Sequence, residues 1–423
     1  MTLVSVPRDA LAELAGTRPR PAALAALTEG LHARRLLLLK TLAVRVERAG
    51  GPARQDFEAD WALLEEAERT DARAVREVVD YPLTGAWLAE TLAAPDGPAL
   101  HGQLAQFRGL AAAAAVRAGH RITVTVPPAA GFLVLPGLGV LDPAAGRAHL
   151  DGRSGSVRVP DGPGGGSVVP LHAPAARWAA PRRPAQRGWS ALGTLPGGAV
   201  VLDDLHPERV PPGGIGPGAL PPAERPRSAH RVWARRWREA HAILRTTDPE
   251  RVAEIGAVLR AVVPLASPRR GGPAMSATLQ TAPGAMLSQL PMSGTDLAES
   301  LVHEVHHTKL AALHELVPLC RTGGAAVHRV GWRSDARPVA GVLHGAYAHL
   351  ALSDLWWRAR SGATAGRVWR RRAAEQFDQH RAHVGQALSI LLESDELTFA
   401  GGQFVREMAR SHARLGVASR WHE

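Results

Sequence analysis

The chain of 423 residues, with 45% hydrophobic and 21% charged side chains, has the length for two or three folded units and the apolar content of a globular protein. Its net charge of +11 rests almost wholly on arginine, since lysine occurs only at Lys40 and Lys309; without a docking motif or interleaved aromatics this reads as solvated surface, not a nucleic-acid interface. A single cysteine, Cys320, excludes an intrachain disulfide framework and a thiolate zinc cage, and fits a reducing cytoplasm.

The opening "MTLVSVPRDALAEL" lacks the basic and apolar regions of a signal peptide. From residue 1 to 118 the pattern is helical. Apolar residues recur at three- and four-residue spacing through "LTEGLHARRLLLLKTLAVRVERA" and "WALLEEAERTDARAVREVVD". "YPLTGAWLAETLAA" and "LHGQLAQFRGLAAAAAVRAG" predict two more helices, with breaks at Pro82, Pro95 and Gly97.

Residues 119–225 change texture. "HRITVTVP" alternates like a strand, and "GFLVLPGLGVL", "GSVRVP", "SVVPLH" and "AVVLDDL" are short apolar runs between Gly and Pro. The longest of them is too short and too broken to span a bilayer, so no membrane partner is expected. "DGPGGGS" and "VPPGGIGPGALPPAERP" read as loops or linkers.

Residues 226–423 return to helix, with "SAHRVWARRWREAHAILRTTD" and "PERVAEIGAVLRAVVPLA" read as a pair. "SATLQTAPGAMLSQL" predicts strand and turn. It leads into a helix "DLAESLVHEVHHTKLAALHELVPL", with Ser293 or Thr295 as N-cap. The expected fold class is therefore mainly α with a smaller β-rich section, its metal-binding part in the C-terminal helices.

That last helix carries His-Glu-x-x-His at His303, Glu304 and His307. Positions i and i+4 share one helix face, so two imidazoles can hold one metal, with Glu304 about 100° round the axis. The third ligand decides the chemistry. The glycine and histidine of the metzincin zinc proteases are replaced here by Leu310 and Leu313. His314 lies on the right face but about 10 Å further along an unbroken helix. A zinc-dependent peptidase is weakened as a reading but stays open. His306, on the flank, reads as a solvated histidine.

Downstream, "VGWRSDARPVAGVLHGAYAHLALSDLWWRAR" places Arg333 and Arg337 around Asp335 and His344 in "LHGAYAHL". An arginine beside a metal suits a dicarboxylate co-substrate, because guanidinium pairs a carboxylate bidentately. Two helix histidines with open positions suit a non-haem Fe(II) oxygenase as well as a zinc hydrolase.

Taken together, "LAESLVHEVHHTKLAALHELVPL", "GWRSDARPVAGVLHGAYAHL" and "LWWR" resemble the 2-oxoglutarate-dependent HExxH-type peptide β-hydroxylases, which tailor ribosomally made peptides. The match is closest over residues 275–360 and thinnest in the Pro/Gly-rich middle. The resemblance implies Fe(II), with 2-oxoglutarate and O₂ as co-substrates, and a ribosomally made precursor peptide as partner. It implies His303 and His307 as iron ligands and His344 as the third. Arg337, with Arg333 as rival, would hold the 2-oxoglutarate carboxylate, and Tyr347 would reach the co-substrate. Glu304 would orient a ligand or a water, whereas in a peptidase it would be the general base.

Overall fold

The computed structural model describes residues 6–126, 131–142, 146–160, 166–174, 188–225, 227–266, 274–324, 326–362 and 366–416. Most of the "DGPGGGS" loop lies outside them, as do the first five residues. The N-terminal helices are α1 (Arg8–Ala15), α2 (Pro21–Ala49), α3 (Pro52–Thr70), α4 (Ala72–Val79), α5 (Pro82–Ala93), α6 (Pro98–Leu104) and α7 (Phe107–Arg117). Short strands follow: β1 (Arg121–Thr125), β2 (Leu133–Leu135), β3 (Gly139–Leu141), β4 (Arg147–Asp151), β5 (Ser156–Pro160), β6 (Gly166–Pro170), β7 (Ala173–Pro174), β8 (Trp189–Ala191), β9 (Gly193–Thr194) and β10 (Val201–Leu202). Next are α8 (Arg227–Thr247), α9 (Pro249–Val258), β11 (Ala261–Pro264), β12 (Ser276–Thr278) and β13 (Ala285–Ser288). The chain continues through α10 (Gly294–Leu316), β14 (Val327–His328), β15 (Arg337–Pro338), α11 (Val339–Ser361), α12 (Arg367–Glu393) and α13 (Phe399–Arg414). At 57% helix and 14% strand, the fold is mainly α with a smaller β section, as its periodicity predicts.

Three boundaries differ from the sequence reading, each for a local reason. The run 61–80 is two helices, because Asp71 leaves helical geometry and its carboxylate accepts the Arg73 N–H at 3.0 Å, starting α4. The run 100–119 is likewise split, into α6 and α7. In "PERVAEIGAVLRAVVPLA" the helix ends at Val258, and "AVVP" becomes β11, buried at all four positions. Such a run satisfies a helix face or a central strand equally well, and β-branched Val262 and Val263 tip it toward strand once neighbours are present.

The six-stranded sheet runs β12-β13-β11-β10-β9-β7 and so combines strands from the middle and C-terminal parts of the chain. β13, β11 and β10 are parallel, while β12 is antiparallel to β13 and forms one edge. The smaller sheets, β1-β4-β5-β6 and β2-β3-β8, pack with the N-terminal helices in a core where Phe57 and Phe107 stack at 4.4 Å. A second core gathers Trp233, Trp237, Trp356 and Trp369 around α10 and α11. A third joins α1 and α2 to α10–α13. The cores therefore cross the compositional boundaries at 118 and 225. Among the described residues, no helix is long and apolar enough to cross a membrane.

Candidate metal centre

α10 starts where Ser293 Oγ accepts the Asp296 N–H at 3.1 Å, which settles the cap between Ser293 and Thr295. Leu297, Leu301, Val305, Leu310 and Leu313 are buried along it, so the helix is clamped by packing. Packing fixes its histidines in turn. His303 and His307 meet edge to face, with Nε2 atoms 3.0 Å apart. Two nitrogens each about 2.1 Å from one ion, and about 90° apart around it, stand about 3 Å from each other, so the pair has the spacing of chelating ligands.

α11 supplies two further imidazoles. The His344 ring lies 5.8 Å from that of His307 and 6.5 Å from that of His314. The His349 ring lies 5.3 Å from that of His303, and its Nδ1 meets His380 Nδ1 at 2.7 Å. One of those two nitrogens must donate and the other accept, so the rings carry opposite tautomers. Trp332 stacks on His349 at 4.6 Å. It reaches that position because residue 345 is glycine: a Cβ there would stand 2.6 Å from the indole Nε1. Among the described residues no three His, Cys, Asp or Glu side chains converge on one point; the arrangement is a chelating pair flanked by two imidazoles.

Burial holds the His307, His344 and His349 rings neutral. It pulls His344 down to about 4, and drives His307 and His349 well below the ordinary histidine value, with the neighbouring imidazoles adding to the shift. Neutral imidazole is the form that binds a metal.

The four histidines line a cavity of about 610 Å³ together with Trp332, Arg333, Arg337, Glu304 and the β12 residues Ser276 and Thr278. Arg333 and Arg337 share a single carboxylate: Arg333 Nε donates to Asp335 Oδ1 at 2.7 Å and an Arg337 Nη to Oδ2 at 3.3 Å. Both are half-exposed, and one of their two positive charges is left for another anion. Glu304 is 1% exposed, and each of its carboxylate oxygens accepts a hydroxyl at 2.8 Å, Oε1 from Ser276 and Oε2 from Thr278.

The other expected residues lie elsewhere. Tyr347 does not line the cavity; it is buried on the far side of α11, where its hydroxyl donates to the Leu14 carbonyl at 2.5 Å and ties down α1. This corrects the expectation that it reaches a co-substrate. The position three residues after His344 carries Tyr347 round to the N-terminal helices. His306 is not solvated but fully buried, with Nδ1–H donating to Val302 O at 2.7 Å and Nε2 accepting from Lys309 at 3.0 Å. Sequence reasoning missed His349, Trp332, Ser276 and Thr278. His349 and Trp332 stand inside the segments "LHGAYAHL" and "GWRSDARP", but only the packing of α11 against α10 aims them at the pair. Compared with protein-family models and with curated proteins, the chain matches none of them.

Proposed function

We propose that this chain is an Fe(II)- and 2-oxoglutarate-dependent hydroxylase that acts on the β-carbon of a residue in a ribosomally made precursor peptide. The observation that carries this reading is the composition of one cavity: a histidine pair at chelating distance and two arginines that share one aspartate. A metal and a dicarboxylate both find partners there. The peptide substrate and the β-carbon come from the motif resemblance.

The donor set fits iron. His303 and His307 would hold it, with His344, the expected third ligand, or His349 beside them as the third. Arg337 or Arg333 would pair with the distal carboxylate of 2-oxoglutarate. With Fe(II), 2-oxoglutarate and O₂ bound, such a centre supplies an oxidant that turns C–H into C–OH while the keto acid becomes succinate and CO₂. The chain's own part is to orient and to exclude water: Trp332 walls the cavity beside His349, and the buried α10 keeps the histidine pair from moving apart. Glu304 supports this reading over a zinc peptidase, since both its oxygens already accept hydroxyls and fasten β12 to α10. A general base would need an oxygen turned to the metal-bound water.

The test is an anaerobic titration of metal-free protein with Fe(II) and 2-oxoglutarate, followed in the visible range. A weak charge-transfer band that requires both components, and is lost in His307→Ala, is the expected result. Comparing His344→Ala with His349→Ala then identifies the third ligand. No band, together with tight zinc binding and a peptide hydrolysis abolished by Glu304→Gln, would replace this reading with the peptidase.

A further inference from the structure

We infer that the outer edge of β12 is the docking site for the substrate, and that an extended peptide segment binds there as an added β-strand, held by its backbone across the histidine pair. The inference rests on the proposal of a peptide substrate and adds how the peptide is held.

Three observations converge on this edge. Among the described residues, β12 pairs only with β13 and ends the six-stranded sheet. The free side faces the candidate centre, since Ser276, Ala277, Thr278 and Gln280 line the same cavity as His303 and His307. The register also fixes which backbone groups point outward. Gln289 N donates to Met275 O at 2.9 Å, and Ser288 O accepts from Leu265 N at 2.9 Å on the opposite side of β13. Alternate residues of a strand turn their backbone groups to opposite neighbours. Leu287 therefore faces Ala277 across the ladder, and the N–H and C=O groups of Ser276 and Thr278 point away from the sheet, toward the cavity.

An unpaired edge that opens into a cavity is a template for another strand. Proteins ordinarily blunt such edges with charge or proline, yet "SAT" carries neither. The occupant is set by what the edge offers: alternating donors and acceptors at strand spacing match a polypeptide backbone and no small anion. Backbone pairing also leaves side-chain identity free, which suits an enzyme that must present one residue of a longer chain. Glu304 gives the edge its accuracy. By gripping the Ser276 and Thr278 hydroxyls it locks β12 to the turn of α10 that bears the histidines, so a peptide in register with β12 is in register with the metal ligands.

The test uses the full-length Fe(II)-loaded protein to select binders from a randomised library of short peptides. Each selected peptide is then remade with single N-methylated amides. Strand addition predicts that affinity falls about tenfold or more at positions two apart and hardly changes at the position between, because only alternate amides face β12. It also predicts slower hydrogen exchange at the Ser276 and Thr278 amides, with Ala277 unchanged. Uniform sensitivity to N-methylation, no sensitivity, or a library without binders would overturn the inference. The charge-transfer titration needs no peptide, so the two failures are separable: a band without an alternating pattern removes the docking mode alone, and an alternating pattern without a band removes the oxygenase alone.

Discussion

Gly345 shows what a single methyl group would do to the cavity. Its α-carbon lies against the Trp332 indole, so Gly345→Ala places a Cβ 2.6 Å from the ring nitrogen. The indole must then leave its stack on His349, and overpacking of this kind costs about 1–3 kcal/mol. We expect Gly345→Ala to lower the unfolding free energy measured in urea by that amount, with a lower midpoint, and to reduce the change in tryptophan fluorescence on metal addition. An unchanged midpoint would mean that the indole relaxes freely. Burial is the second residue-scale effect. His344 at about 4 is neutral throughout the physiological range, so metal binding there need not displace a proton.

At the scale of elements, the back of α10 is fastened by buried charge. Arg251, at the start of α9, donates to Glu254 at 2.6 Å, to Asp354 on α11 at 3.0 Å and to the Thr17 carbonyl at 2.5 Å. Lys309 on α10 pairs with Glu254, and Arg18 pairs with Asp248 and Asp354. Desolvation pulls Lys309 down to about 8 against the attraction of Glu254, so the ammonium persists at neutral pH. Thr17 sits at φ +64°, a conformation that non-glycine residues adopt only when their surroundings over-determine it. One network thus locks the α1–α2 turn, α9, α10 and α11 together. Breaking it by removing one partner leaves the others buried and unpaired. Arg251→Met is predicted to destabilise by about 3–5 kcal/mol in chemical denaturation, with loss of iron affinity following from the loosened α10. A change under about 1 kcal/mol would show that the network is solvated and that packing alone holds the helix.

For the whole molecule, Asp204 links the six-stranded sheet to α8. Its carboxylate follows β10 and accepts from His230 of α8 at 2.5 Å and from Arg225 at 2.6 Å, with Arg209 also nearby. Burial would raise its pKa, but the hydrogen bonds and charges of His230 and Arg225 outweigh it and bring the group to about 2, from an ordinary 3.8. A carboxylate depressed in the folded state stabilises fully above its unfolded pKa and loses that contribution as pH falls through the folded one. The contribution is about 2 kcal/mol, present above about pH 5 and lost on the way down to pH 2. Denaturation across this range should show that loss in the native protein and a shallower slope in Asp204→Asn. Equal slopes would mean that Asp204 does not carry the acid sensitivity.

Elements whose signal is local are legible in the order of the amino acids alone. The 3.6-residue periodicity of α2, a cap at Ser293 or Thr295 and the i, i+4 spacing of His303 and His307 follow from one stretch of chain, and so does the strand-and-turn character of "SATLQTAPGAMLSQL". Tertiary structure decided whatever depends on what packs against a segment. "AVVP" became a strand because β10 and β13 flank it, and His306 became a buried acceptor because Lys309 and Arg251 surround it. His349 came into the cavity and Tyr347 left it because α11 lies between α10 and the N-terminal helices, so that residues two apart on it face opposite neighbours. Spacing along a helix fixes angles about its own axis. Which of those angles meets a metal, a co-substrate or a core is set by contacts between residues hundreds of positions apart, such as Tyr347 and Leu14, and no local pattern encodes them.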